Sequence, residues 1–386
     1  MTSEAFPIPI PFNIPHLTMR EADYMADCLA RGHLAGNGHY TKLCSALLSN
    51  LYGSEVLLTH SCTAALEMAA LLLRLQPDDE VIMPSFTFSS TANAVALTGA
   101  TVVFADSEPR TMNIDPDSLE AALSPRTKAV LVVHYAGVAC DMDRIMAFCE
   151  KNGLHLVEDA AQALGATYKG RLLGTFGALG TLSFHETKNI TCGEGGALIV
   201  NDSGLVDRAH IIQEKGTNRR SFLNGLVDKY SWVDIGSSYL PSEILAAFLY
   251  AQLERHEEIT NKRLDIWNAY DYALRPHAAE HGFITPDVPQ ECRHNGHIYH
   301  LIMPDAATRD DFIAHMRSIG ITTPFHFVPL HAAPAAERYS RSPGALPVVE
   351  TLSARLVRLP LYPSLAEHQH RVTEAVLEFF QSRSNS

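Results

Sequence analysis

The sequence predicts an α/β protein with a large, mostly parallel sheet in its first domain and a smaller α+β domain behind it. Three observations carry this. Short β-branched runs alternate with amphipathic helical stretches up to about residue 210. A long helical stretch over 241–274 then breaks the alternation, and a different mix of helices and strands follows. A chain of 386 residues is also long enough for two cores. Alternating strand and helix patterns mean βαβ units, which are joined in parallel.

The elements justify this in order. Residues 1–15 alternate proline with apolar residues and read as an extended arm. "READYMADCLARGHL" (20–34) reads as a helix ending near Gly32, and "HYTKLCSALLSNLYG" (39–53) as one stopped by Gly53. Strand "EVLLT" leads to helix "TAALEMAALLLRL", and strand "DEVIMP" to helix "SSTANAVALTG". "TVVFAD" and "KAVLVVHYAG" are strands, "DMDRIMAFCEKNG" a helix, and "LHLVEDAA", "GTLSFHE" and "GGALIVN" strands. One long amphipathic helix is expected over 241–274, with Pro241 near its start. "HIYHLIMP", "TRDDFIAHMRSIG" and "LAEHQHRVTEAVLEFFQ" then supply a strand and two helices. The expected boundary puts 1–254 in the large domain, arm included, and 255–386 in the small one. A cleft between two domains is a common ligand site.

Composition narrows the function. Lys and Arg number 30 against 43 Asp and Glu, a formal charge of −13. Nucleic acid and anionic membranes need basic surfaces, so neither is expected as a partner. The N-terminus lacks a basic segment followed by an apolar one, so no secretory signal is read there. No apolar run approaches a membrane span. Seven scattered cysteines without CxxC pairs suit reduced thiols in a cytoplasmic protein.

One stretch calls for chemistry: "TLSFHETKNITCGEGGALIVND", residues 181–202. Lys188 sits in a polar turn between two strand-like runs, with glycines crowding behind it. A lysine meant to bond a carbonyl needs such a setting. A Schiff-base cofactor such as pyridoxal phosphate (PLP) further needs an anion site, a carboxylate for its ring nitrogen and an aromatic face. Asp159, at the carboxyl end of "LHLVED", is the carboxylate candidate, or else a helix cap. "THSCTAALEM" (59–68) runs from a strand through hydroxyls into a helix, so Thr63 and Ala64 offer first-turn phosphate donors, or form an ordinary cap. Ser183 could add a hydroxyl. Phe88 is the stacking candidate with Phe86 as competitor, and Gln162 could donate to the phenolic oxygen. His294, His297 and His300 recur at three-residue spacing. On a strand they would not converge, and no carboxylates accompany them, so no metal site is expected.

These stretches resemble one known family. "SCTAALEMA", "VIMPSFTF", "VVHYAGVACDMD", "VEDAAQALGATYKGRLLGTFG", "SFHETKNITCGEGGALIVND" and "PFHFVPLH" span nearly the whole chain in family order. The sequence is similar to the DegT/StrS-type sugar-nucleotide aminotransferases. That resemblance implies the fold type I architecture with a seven-stranded-type sheet and PLP as cofactor. It makes Lys188 the Schiff-base lysine and acid/base, and Asp159 the partner of the ring nitrogen. It puts Gln162 at the phenolic oxygen, Thr63, Ala64 and Ser183 at the phosphate, and Phe88 on the ring. His185 would lie near the reacting carbon. A homodimer or a tetramer is implied, with Ser238 at the place of a cross-subunit asparagine.

Within the family, "SFHETKN", "EKGTNR", "VDKYSWVDIGSSYL" and "HYAGVACDMD" resemble the members that aminate dTDP-4-keto-6-deoxy-D-glucose. Those use L-glutamate and serve surface polysaccharides such as enterobacterial common antigen. The resemblance thus implies a dTDP-4-keto-6-deoxy sugar as acceptor. The alternatives are a gluco epimer or a 3-amino product. The substrate's diphosphate would need cations. Lys215, Arg219 and Arg220 are candidates, or else a solvated loop, and His331 could line the same site.

Overall fold

The computed structural model describes residues 8–223 and 225–384. Two helices open the chain, α1 (Glu21–Arg31) and α2 (His39–Tyr52), each ended by a glycine in the left-handed region, Gly32 and Gly53. The alternation follows as β1 (Glu55–Thr59), α3 (Cys62–Leu72), β2 (Glu80–Pro84), α4 (Ser89–Ala96) and β3 (Thr101–Ala105). Then come α5 (Leu119–Ala122), β4 (Thr127–Val133), α6 (Met142–Asn152) and β5 (His155–Asp159). After a short ribbon, β6 (Thr167–Tyr168) and β7 (Arg171–Leu172), strands β8 (Leu179–Ser183) and β9 (Gly196–Val200) complete the main sheet from this half. Helices α7 (Val206–Gln213), α8 (Arg219–Leu223), α9 (Glu243–Leu253), α10 (His256–Leu274) and α11 (Ala278–His281) come next. The remainder holds β10 (Cys292–Arg293), β11 (Tyr299–Ile302), α12 (Ala306–Ser318), α13 (Ala336–Tyr339), β12 (Ser340–Arg341), α14 (Pro347–Arg355), β13 (Leu356–Leu359) and α15 (Gln369–Ser384).

The main sheet has the order β1-β9-β8-β5-β4-β2-β3-β12. From β8 to β12 every pairing is parallel, and β9 alone runs against its neighbours β1 and β8. Its strands are buried on both faces, which is why they read as continuous Val, Ile, Leu and Ala rather than as alternation. The parallel register sets β4, β5 and β8 level, with Val133 opposite Asp159 and Asp159 opposite Thr181. Gly196 lets β9 reach the start of α3. A Cβ there would lie 2.4 Å from the Cys62 nitrogen.

Three expectations change. The stretch 241–274 is two helices, not one. Arg255 leaves the helical region (φ −116°, ψ 14°) between α9 and α10. The two ends of the stretch answer to different cores. Ala246, Ala247 and Leu249 of α9 pack in the cluster with α2, whereas Ile266, Trp267 and Tyr270 of α10 pack with α12 and α15. The sheet has an eighth strand, β12, supplied by the C-terminal part. Finally, the N-terminal arm is not confined to the large domain: Asn13 reaches the Glu186 carbonyl, but the start of the arm packs on the C-terminal part. Ile10 exchanges backbone hydrogen bonds with Gly320 and Thr322 and is buried beside Ile321, Tyr299 and Phe312.

Glu243 shows how a buried charge is held in this half. Its carboxylate accepts backbone N–H groups from Gly38, Tyr40 and Thr41 at the start of α2. An anion there complements the positive end of the helix. Among the described residues no helix is long and apolar enough to cross a membrane.

Candidate active site

Val133, Asp159 and Ser183 are the last residues of three neighbouring parallel strands, and all three line one cavity of about 550 Å³. Ligands of open α/β sheets bind at this edge because the strand-to-helix connections leave a crevice there. The antiparallel pair β8 and β9 is joined by residues 184–195, and that excursion carries Lys188 to the cavity wall. The turn is fixed at its base, where Phe184 N–H donates to Gly195 (2.8 Å) and Lys188 N–H to His185 (2.9 Å). Asn189 holds it from behind through the Asn295 carbonyl and the His297 Nδ1, at 2.8 and 2.9 Å.

Asp159 is buried. Its Oδ2 accepts the Thr91 hydroxyl at 2.9 Å, and its Oδ1 the Ala161 N–H at 3.1 Å. Burial raises its pKa. The two donors, Lys188 and His134 only oppose that. Lys188 is displaced the other way. Burial lowers its pKa, Cys62 and Asp159 act against that, and Arg358 adds to it. Both groups are therefore short of a charged partner. A cationic ring nitrogen would supply one for Asp159, and a carbonyl carbon is what a neutral amine attacks.

Four hydroxyl side chains gather at the start of α3 and the end of β8. Ser61 caps α3, its Oγ accepting the Ala64 N–H at 3.1 Å. Thr63 shares a 2.7 Å hydrogen bond with Ser90. Ser61, Thr63, Ser90 and Ser183 all face the cavity beside the positive end of α3. Ala64 is buried behind them and does not line the cavity itself. Phe88, 62 % exposed, is on the cavity wall, while its competitor Phe86 is in the core at 1 %. Gln162 also lines the cavity. Its Oε1 accepts the Ala136 N–H at 2.7 Å, which leaves its amide nitrogen as a donor. His185 stands at the rim, hydrogen-bonded to Thr187 at 3.1 Å and 3.7 Å from Glu194.

Other named residues stay outside the cavity of a single chain. Ser238 is exposed and bridges to Glu214. Lys215 is exposed, Arg219 pairs with Glu214 at 2.9 Å, and Arg220 lies 3.8 Å from Glu55. His331 turns to Ser85 (2.7 Å) and Glu350 (3.1 Å). The three spaced histidines part company. His294 packs on Trp267, His297 binds Asn189, and His300 lies against Tyr135. A different trio, His277, Glu280 and His281, brings its ligand atoms within 4.8 Å of one another, away from the cavity.

The sequence reading missed the C-terminal wall. Arg263 and Arg358 both line the cavity, and among the described residues neither meets a carboxylate. Arg263 donates to the carbonyls of Gly296 and His297, and burial pulls it down to about 9. Arg358 is pulled down to about 10. His297 and His326 face the same space, both held well below the ordinary imidazole value, chiefly by burial. The arm adds Phe12 and Asn13, the latter donating to the Glu186 carbonyl at 3.2 Å. Two of the unread residues carried a local signal, Thr91 in its hydroxyl-rich turn and His326 inside "PFHFVPLH".

These residues fit PLP. The cavity offers a buried amine, a buried carboxylate without a cation, and hydroxyls at a helix N-terminus. Comparisons with known proteins agree. The DegT/DnrJ/EryC1/StrS aminotransferase family matches residues 15–377. The chain is 34 % identical to the spore coat polysaccharide biosynthesis protein SpsC of Bacillus subtilis, over 93 % of each chain. It is 30 % identical to the GDP-perosamine synthase of Escherichia coli O157:H7, over 97 % of this chain and 99 % of that one. It is 32 % identical to the dTDP-4-dehydro-2,3,6-trideoxy-D-glucose 4-aminotransferase of Saccharopolyspora spinosa, over 92 % and 93 %. Among solved structures, the aminotransferase TlmJ of Streptoalloteichus hindustanus superposes with a TM-score of 0.89 at 31 % identity, covering 97 % and 100 %. Spr1654 of Streptococcus pneumoniae in its PLP form gives 0.89 at 26 %, covering 97 % and 99 %. The chain belongs to the DegT/DnrJ/EryC1/StrS aminotransferase family, and it is a PLP-dependent sugar aminotransferase.

Proposed function

We propose that the chain transfers the amino group of L-glutamate to C4 of dTDP-4-keto-6-deoxy-D-glucose, giving dTDP-4-amino-4,6-dideoxy-D-galactose and 2-oxoglutarate. The observation that carries the chemistry is the meeting of Lys188 and Asp159 in one cavity beside the start of α3. The acceptor is supported by the subgroup stretches, "VDKYSWVDIGSSYL" above all, and by a relative whose name gives it a dTDP-linked 4-keto sugar.

When bound, PLP supplies an electron sink that carries an amino group from donor to acceptor. Asp159 would hold its ring nitrogen protonated, and Thr91 keeps that carboxylate aimed. Ser61, Thr63, Ser183 and the first N–H groups of α3 would hold its phosphate. Gln162 would donate to its phenolic oxygen, and Phe88 would cover its ring. Lys188, released as a free amine, moves the proton on and off the reacting carbon. Burial first, then Arg358, lower its pKa, which shifts it toward the neutral amine that a base must be. Its fixed place on one face decides on which side of C4 the proton arrives. His185 stands at the rim of that space.

The chain would work as a homodimer. Leu223, Leu226 and Trp232 are 68 %, 74 % and 81 % exposed, an apolar surface that suits a second copy. They belong to the same segment as Lys215, Arg219 and Ser238. In a dimer that segment would reach the partner's cavity, with its cations at the substrate diphosphate. The relative named for GDP-perosamine favours a second reading, a GDP-linked acceptor.

Incubation with PLP, L-glutamate and either nucleotide sugar, followed by NMR of the product, tests both. The expected product is the dTDP-linked 4-amino sugar with an axial amine. An equatorial amine, a 3-amino sugar or preferred turnover of the GDP sugar would overturn the assignment.

A further inference from the structure

The corner that follows α10 has no part in the cofactor cavity, yet it gathers three metal-ligating side chains. α10 ends at Leu274, a single 3-10 turn (Arg275–His277) follows, and Gly282 closes α11 in the left-handed region, at φ 73°. The stretch "HAAEH" (277–281) therefore stays helical, and positions i, i+3 and i+4 of a helix share one face. His277, Glu280 and His281 each bring one ligand atom within 4.8 Å of the other two. Among the described residues no other group of three or more such side chains comes this close. None of the three lines the cavity.

Two further observations make this a prepared set. First, the imidazole planes are held nearly parallel. His277 lies 6.2 Å from His281 with 19° between the rings. His281 lies 5.4 Å from Phe380 and 6.4 Å from Phe283, at 16° and 18°. Phe283 and Phe380 are buried in the C-terminal core, which anchors the stack. Stacking uses the ring faces and leaves the nitrogens at the edges. Second, the ligand atoms are uncommitted. Among the described residues no hydrogen bond or ion pair engages the side chains of His277, Glu280 or His281. The nearby cation Arg275 is spent on Asp271 and the Pro286 carbonyl.

The ligand types choose the ion. Mg²⁺ and Ca²⁺ take oxygen ligands, whereas two imidazoles and one carboxylate suit Zn²⁺ or another late first-row ion. Bonds of about 2.0–2.2 Å to a tetrahedral zinc ion put its ligand atoms about 3.3 Å apart. The partly exposed side chains reach that spacing by small rotations.

We propose that His277, Glu280 and His281 form a zinc-type site at the corner after α10, with water in the fourth position. The ion would pin this corner to the C-terminal core and take no part in amino transfer.

Calorimetric titration of the PLP-loaded protein with zinc chloride, and separately with magnesium chloride, reads the site without an assay of turnover. The parent should take up one zinc ion per chain at this site and no magnesium. A double variant, His277→Ala with His281→Ala, should lose that equivalent. Glu280→Gln should weaken it about tenfold, because the one charged ligand is gone. Zinc at about a hundredfold excess over its dissociation constant should raise the melting temperature of the parent by about 2–5 °C and leave that of the double variant unchanged. Without metal the parent and its variants should melt together. Equal zinc uptake and affinity in parent and double variant overturns the proposal. So does a parent that binds no zinc, or one that binds magnesium as well. Zinc-edge X-ray absorption of the loaded parent should show two imidazoles on the ion, and a spectrum without imidazole overturns the assignment whatever the variants do.

Discussion

Two buried ionic clusters in this molecule are built to opposite ends. Toward the β12 side of the sheet, Glu80 of the interior strand β2 is fully buried and meets Arg341 of β12, Arg126 and Ser124. Arg341 lowers its pKa most, and it falls to about 2 although burial opposes. At the cavity, Asp159 is pushed up, Lys188 down and Arg358 down, because burial is the largest influence on each. The first cluster is satisfied from within the chain. The second lacks partners, and the groups that would complete it are a cationic ring nitrogen, a carbonyl carbon and an anion. A buried charge that its own protein leaves unpaired marks a place for a ligand.

The comparison breaks most sharply at the lysine. Lys188→Ala should reduce turnover about a thousandfold or more, since both proton transfers lose their base. Steady-state assay beside a thermal melt checks that folding survives. Asp159→Asn should cost about a hundredfold or more in kcat and should raise the melting temperature without cofactor, because an isosteric neutral group no longer resists burial. A lower melting temperature of that variant would show that Asp159 serves the fold. Phe88→Ala should weaken cofactor binding by about tenfold, the loss of one stacking face, read by equilibrium dialysis.

The Glu80 cluster should respond in stability and not in turnover. Arg341→Ala should destabilise the fold by roughly 1–2 kcal/mol, discounted for the partly exposed guanidinium, with kcat within twofold of the parent. The pH dependence follows from the sign. The Glu80 pKa is lower in the folded chain than its ordinary 4.5, so its stabilisation is present above about 4.5 and is lost as pH falls toward about 2. Urea midpoints over that range should converge for parent and Glu80→Gln. Parallel curves would mean that Glu80 carries no such linkage.

The legibility of the sequence divides along the same line. The sheet half of the site could be read because its chemistry is local. Asp159 ends an apolar strand, Ser61 to Thr63 open a helix, and Lys188 sits in a turn between two strands. The C-terminal wall could not be read, because its residues reach the cavity only through tertiary packing. "LVRL" is four residues with no alternation, and nothing in it reveals that Arg358 faces Phe12, hundreds of positions earlier. The two-residue β12 is set by pairing with β3, which no local pattern encodes. The single long helix expected over 241–274 failed for a related reason. Helical periodicity runs through Arg255, but two cores pull its ends apart.

Borohydride reduction of the PLP-loaded protein, followed by digestion and mass spectrometry, tests the central claim most directly. The reduced cofactor should be found on the peptide containing Lys188 and on no other. A label on a different lysine, or none while the protein still aminates its sugar, would contradict it.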